Sequence, residues 1–216
     1  MMIQATYEGL LKRNTEQHER PFILTRSFFA GSQKYAFTWT GDNLADWDHL
    51  RNSISMTLTL GVCGFPFSGS DVGGFFKSPD QELLLRWYQL GAFCYPFFRC
   101  HCHHLSERRE PYMLKGDYHT GAVNAIQERY RLLPLWYTLS YQTTLDGQPI
   151  VRPLWWEFDD PEVQEIETQV MIGDSLMVVP SLSKEENTIH AYIPRTRWFE
   201  FRSLKELKKG GEVVNI

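Results

Sequence analysis

Tyr35-Ala36-Phe37-Thr38-Trp39-Thr40-Gly41-Asp42-Asn43 passes from an apolar run, through a glycine, to a carboxylate beside an amide. The apolar run Tyr35–Trp39 reads as a short buried strand, Gly41 as the turn that ends it, and Asp42 as a polar group presented at the strand's end. Asp46 to Leu60 then reads as a helix. Asp46 and Asp48 suit its first turn, where acids meet the positive end of the helix dipole, and Gly61 suits its end.

The same order recurs on both sides. Upstream, Phe22 to Thr25 is a strand-like run followed by Arg26. Downstream, Phe65-Pro66-Phe67 is followed by the Gly- and Ser-rich Ser68 to Gly74, Pro79 to Ala92 reads as a helix, and Phe97-Phe98 leads into the polar Arg99 to His104. Ile3, Tyr7, Leu10 and Leu11 predict a helix over 3–17, ended by Arg20-Pro21 because the residue before proline leaves the α region. Thr120 to Thr144 predicts a long helix that Pro134 must kink or interrupt. Short apolar strands alternating with helices predict an α/β fold on a parallel sheet. The polar segments follow the strands, where a (β/α) barrel carries its chemistry.

The pattern changes near Asp146-Gly147. Ile150-Val151, Leu154 to Phe158, Leu176 to Val179, His190 to Ile193 and Trp198 to Phe201 read as short strands separated by turns, a small antiparallel β domain.

Bulk properties exclude several classes. The 216 residues are 43% hydrophobic, enough for a packed core. Net charge is −4 and the basic doublets are short, Arg108-Arg109 and Lys208-Lys209, so no stripe for nucleic acid is expected. No apolar run approaches the roughly 20 residues of a membrane span. Met1 to Arg20 is amphipathic, not a charged start with an apolar core, so no secretory signal is expected there, nor a retention tetrapeptide at Val213 to Ile216. Cysteines at 63, 94, 100 and 102 suggest no disulfide framework, and free thiols in a core are expected. Aromatic residues reach 14%, which suits either a large core or the stacking faces of a sugar site.

Three constellations could carry chemistry. A general acid for glycoside cleavage is a carboxyl held partly dry, and Trp39 beside Asp42 supplies both dryness and a stacking face. The competing reading makes Asp42-Asn43 the cap of the following helix. Ser68 to Phe76 offers glycines for close backbone approach, the carboxylate of Asp71 and the rings of Phe75 and Phe76, but lacks the ending of a phosphate-binding loop. Cys100-His101-Cys102-His103-His104 contains zinc-type ligands, yet five consecutive residues wrap a tetrahedral ion poorly. One histidine bonding a substrate hydroxyl is the better reading, and no metal or cofactor is expected.

Arg20 to Gln33, Trp39 to Leu50, Gly64 to Phe76 and Pro96 to Pro111, with Arg152-Pro153-Leu154 and Tyr192-Ile193-Pro194, together resemble glycoside hydrolase family 31, the α-glucosidase family, and within it the glucosidase II and neutral α-glucosidase branch. The resemblance implies the C-terminal half of a (β/α)₈ barrel over residues 1–145 and part of a β-sandwich over 146–216. It also implies a retaining mechanism with two carboxylates about 5–5.5 Å apart. On that pattern Asp42 is the acid/base, Arg26 orients charge and substrate, and Trp39 and Phe75 are pocket walls. Asp71 bonds the arginine or the sugar, and His101 contacts a glucose hydroxyl. The family's nucleophile sits in an Asp-Met-Asn-Glu type motif upstream of the Arg26 region, and no such motif occurs here. The chain alone is therefore expected not to hydrolyse glucosides. Implied partners are an α-glucoside or glucosylated N-glycan and a glucosidase II β-subunit, and the implied location is the endoplasmic reticulum. The alternatives are a non-catalytic glycan-binding or regulatory module and a metal protein built on the Cys-His run.

Overall fold

In the computed structural model, residues 2–13, 20–207 and 210–216 are described. Four extended segments lie side by side in chain order. Two form the parallel strands β1 (Leu24–Thr25) and β2 (Phe37–Thr38). Thr38 N and Thr40 N donate to Phe67 O at 3.3 Å and Gly69 O at 3.0 Å, which adds the third segment. Phe97 N donates to Ser68 O at 3.0 Å and Val72 N to Arg99 O at 3.1 Å, which adds the fourth. The expected runs Phe65–Phe67 and Phe97-Phe98 are thus in place but form no regular strand. Pro66 inside the third segment and Pro96 just before the fourth have no N–H to give a ladder. Gly69 is needed where the third and fourth segments meet, since a Cβ there would lie 2.0 Å from Phe97 O.

Helices α2 (Trp47–Val62) and α3 (Gln81–Cys94) pack on this layer. Each is capped by an aspartate whose side chain accepts from the backbone N–H three residues on: Asp46 from His49 N at 2.9 Å, Asp80 from Leu83 N at 2.8 Å. Asp46 is therefore the cap of α2, and the capping role weighed for Asp42-Asn43 is wrong. The N-terminal helix α1 is Met2–Arg13, and the rest of the stretch expected to be helical up to residue 17 lies outside the described residues. The single helix expected over Thr120 to Thr144 is two: α4 (Gly116–Arg131) and α5 (Leu133–Asp146). Pro134 falls in the first turn of α5, where its missing N–H costs no helical bond.

Beyond Gly147, β3 (Val151–Pro153), β4 (Val170–Ile172) and β5 (Leu176–Val178) form an antiparallel sheet. A separate antiparallel pair joins β6 (His190–Ile193) to β7 (Glu212–Asn215). The strand expected over Leu154 to Phe158 is instead the short helix α6 (Leu154–Glu157). Pro153 precedes its first turn, Leu154 is buried, and Arg152 pairs with Glu157 across it. Trp198 to Phe201 contributes only the bridge Phe199↔Glu206.

One core runs from Leu50, Ile54 and Trp87 through Trp136 and Leu139 to Ile150, Val151, Val170 and Ile172, so the barrel helices and the first β sheet share it. A smaller cluster of Leu154, Val163, Met171 and Tyr192 lies under the second pair. Among the described residues no helix is long and apolar enough to cross a membrane.

Candidate functional site

Each of the four parallel segments ends in a polar residue, and parallel pairing puts those ends on one side of the layer. Arg26 follows β1 and Asp42 follows β2. Asp71 ends the third segment; Arg99 and His101 end the fourth. Gly41 makes the turn after β2 with φ +83°, a left-handed conformation natural to glycine, and an added Cβ would lie 3.0 Å from an Arg26 Nη.

Asp42 is the accessible carboxylate of this group. Its side chain is 31% exposed, and Arg26 Nη1 lies 3.4 Å from its Oδ2. Arg26 is itself 60% exposed, so the pair adds little stability, about 0–1 kcal/mol. Its value is orientation of the carboxyl.

Asp71 is fully buried and pairs not with Arg26 but with Arg99, whose Nη2 lies 2.9 Å from Asp71 Oδ1. The approach is close but off-line: neither Asp71 oxygen receives an aligned hydrogen bond among the described residues. Burial pushes the Asp71 carboxyl up to about 6, against the pull of the Arg99 charge, and the nearby Asp42 adds to the rise. Arg99 also stands over the Trp39 ring, 5.4 Å from its centroid, and 5.7 Å from that of Phe97. Arg99 was not singled out among the expected site residues. The available signal was a cation directly after the apolar Phe97-Phe98, a position that demands a buried partner.

Asn43 was read only as a possible cap, yet it is the bracket of the site. Its Nδ2 donates to Asp71 O at 3.0 Å, and its Oδ1 accepts from Phe75 N at 2.9 Å. It thereby ties the end of β2 to the glycine loop. Fully buried Arg109 holds the loop from the other side, donating to the carbonyls of Gly74, Lys77 and Glu107. Phe75 is thus fixed, and the His101 ring sits 5.3 Å from it in a tilted stack. Burial, and next the Arg99 charge, lower the His101 pKa, which favours a neutral imidazole able to donate and to accept.

The structure therefore brings Arg26 to Asp42, Trp39 and Asp71 to Arg99, and Phe75 to His101. Two cavities, of about 730 and about 550 Å³, lie elsewhere, one in the β domain and one near the end of α5; neither is lined by these residues. No group of three or more His, Cys, Asp or Glu among the described residues could hold a metal ion. Of the thiols only Cys94 is buried, contrary to the expectation of core thiols: Cys63 is exposed and Cys100 and Cys102 are half-buried.

Comparison with known proteins joins this geometry to a family. The profile of the glycosyl hydrolases family 31 TIM-barrel domain matches residues 1–139, and that of the glycosyl hydrolase family 31 C-terminal domain matches residues 147–216. A probable glucan 1,3-alpha-glucosidase of Oryza sativa subsp. japonica is 49% identical over 95% of this chain and 22% of its own length. Neutral alpha-glucosidase AB of Mus musculus is 46% identical over 94% of this chain and 22% of its own. The crystal structure of an ER glucosidase II heterodimeric complex, of a catalytic subunit and the binding domain of a regulatory subunit, superposes with a TM-score of 0.95 at 43% identity, over 100% of this chain and 24% of that one. The chain thus spans under a quarter of the length of these relatives. Two matched domains, a parallel layer with its polar residues at one end, and the antiparallel sheets that follow agree: the chain belongs to glycoside hydrolase family 31 and comprises part of its TIM barrel followed by a C-terminal β domain.

Proposed function

We propose that this chain supplies the acid/base side of a retaining α-glucosidase site, with Asp42 as the acid/base. The observation that carries the reading is the delivery of Arg26, Asp42, Asp71 with Arg99, and His101 to one end of four successive parallel segments in a family 31 chain. Asp42 protonates the leaving glycosidic oxygen and, once a glycosyl–enzyme ester has formed on a second carboxylate, takes the proton of the attacking water. Arg26 holds the carboxyl in place. Trp39 and Phe75 present stacking faces to the sugar, and His101 bonds a hydroxyl beside Phe75. Asp71 is not the second carboxylate: it is fully buried and engaged with Arg99, so it cannot reach an anomeric carbon. Its role is to anchor Arg99 over the Trp39 ring.

On this reading the chain alone does not complete the covalent route. The substrate class is an α-glucoside, with a glucosylated N-glycan in the endoplasmic reticulum and a regulatory β-subunit as the specific setting, by analogy with the heterodimeric relative. The test is a chimera in which this chain replaces the matching segment of the mouse neutral α-glucosidase. The chimera should turn over an α-linked glucose disaccharide, whose sugar leaving group is poor, and Asp42→Asn should lower kcat/KM on it by about 10²–10⁴. An active chimera indifferent to Asp42→Asn would remove Asp42 from the chemistry.

That Asp42 is the one accessible carboxylate of the site among the described residues also favours a second reading, in which the chain holds a glycan without cleaving it. Calorimetry of the folded chain with a nojirimycin-type imino sugar separates the two: measurable heat supports holding, and its absence leaves the chain dependent on the other half of the site.

A further inference from the structure

The run Cys100-His101-Cys102 enters the site only through its histidine. Cys100 is bridged in parallel to Val72, so the chain there is extended and successive side chains point to opposite faces. His101 faces Phe75, Arg99 and Asp42. By the same alternation the two thiols share the opposite face, where the Tyr88 hydroxyl meets Cys100 and the charges of Glu110 and Arg109 are in range. Both thiols are free and half-buried, which sets them apart from sealed Cys94 and from exposed Cys63 at the far end of α2.

We infer that Cys100 and Cys102 form a redox-closable thiol pair, which a small-molecule disulfide such as oxidised glutathione converts to an internal disulfide that turns His101 away from Phe75. Two residues apart on an extended chain, the Cα atoms lie roughly 6.5 Å from one another, at the long edge of the range a disulfide spans. Closing the bridge draws them together and bends the backbone at His101 between them. The strain of that bend makes the bridge readily reducible, as a switch requires.

The exchange balances. The Cys102 thiolate attacks one sulfur of the small disulfide, the S–S bond breaks, and one small thiol leaves after taking a proton. The Cys100 thiol then loses its proton, its sulfur attacks Cys102 Sγ, and the second small thiol leaves. Two protein thiols are oxidised and one small disulfide is reduced to two thiols. Cys102 attacks first because burial holds the proton on Cys100.

The bridge itself is independent of the proposed function; its consequence for the site rests on His101 being a wall of that site. Trypsin tests the bridge, because cleavage after Arg99 and Arg108 leaves both cysteines in one peptide, Cys100 to Arg108. The full chain is equilibrated in glutathione redox buffers, blocked with N-ethylmaleimide and digested. In oxidising buffer this peptide should be about 2 Da lighter than its dithiol and take no maleimide, and dithiothreitol should reverse both. The His101 ring resonance of the intact chain should move on oxidation in the wild type and stay fixed in Cys102→Ala and Cys102→Ser. Two results overturn the inference. One is a peptide that still takes two maleimides, or carries glutathione without a bridge, at poises where Cys63 is already glutathionylated. The other is a bridge that leaves the His101 resonance unmoved.

Discussion

Asp71 and Asp42 are both carboxylates at the ends of neighbouring parallel segments, and their surroundings give them opposite duties. Asp42 is open to solvent at one side; Asp71 has no exposure and one cation. The raised Asp71 value has a consequence for stability. Its folded pKa of about 6 exceeds its ordinary 3.8, so between those values the folded state keeps a proton that the unfolded state has released. Stability is therefore lost as pH rises through that window, by an order of 2–3 kcal/mol for this one group. Asp71→Asn should remove the decline: urea unfolding midpoints of wild type and variant should draw together at low pH and diverge in favour of the variant as pH rises from 4 to 7. A wild-type advantage that grows with pH would show Asp71 to be stabilised as a carboxylate by Arg99. At this scale the sequence showed which polar residues follow apolar runs, Arg26, Asp42 and His101, and the structure sets them at the ends of parallel segments. The sequence did not show where one side chain serves another, as with Arg99 on Asp71 and Asn43 on the glycine loop, because such pairings join segments distant in sequence.

The helices were legible from their acidic first turns and prolines, and their caps and partners were not. Asp46 and Asp80 mark true starts, and Pro134 marks a break between α4 and α5. What locks that break is Arg129, on the last turn of α4. It donates to the carbonyls of Ala92, Tyr95 and Pro96 at 3.1, 2.9 and 2.9 Å, and its guanidinium lies 3.8 Å from the centroid of the Trp136 ring on α5. It thus fastens the end of α3 just before the segment that carries Arg99 and His101. Arg129→Met should leave three carbonyls without donors and lower stability by about 2–4 kcal/mol, read from the urea midpoint, with Arg129→Lys between the two. A change under about 0.5 kcal/mol would show that the carbonyls find other donors. Periodicity misread Leu154 to Phe158 as a strand because Leu154, Trp155 and Trp156 form an apolar run too short to tell helix from strand. It passed over β4 and β7 for a related reason: each is only a few residues long and takes its shape from its partners, β3 with β5 and β6.

Across the whole molecule, the shared core explains how barrel segments and β domain hold together, and the remaining apolar surface shows where they stop. Among the described residues β1 pairs on one side only, and the Phe22, Phe37 and Phe67 rings run across a face of the layer from that edge, with centroids 5.3 and 4.9 Å apart. Phe22 is 62% exposed, and Tyr137, Tyr141 and Leu145 form an exposed stripe at helical spacing along α5. A free strand edge beside exposed rings favours self-association. Sedimentation velocity of the chain by itself should show species larger than a monomer that grow with concentration, and a monodisperse monomer at tens of micromolar would contradict this. On the proposed reading Asp42 is an acid/base without, among the described residues, an accessible second carboxylate at the site. Its most direct test is the purified chain alone assayed on an aryl α-glucoside beside its Asp42→Asn variant. Neither should turn over the substrate above background; turnover by the chain that Asp42→Asn abolishes would show that a complete carboxylate pair is present.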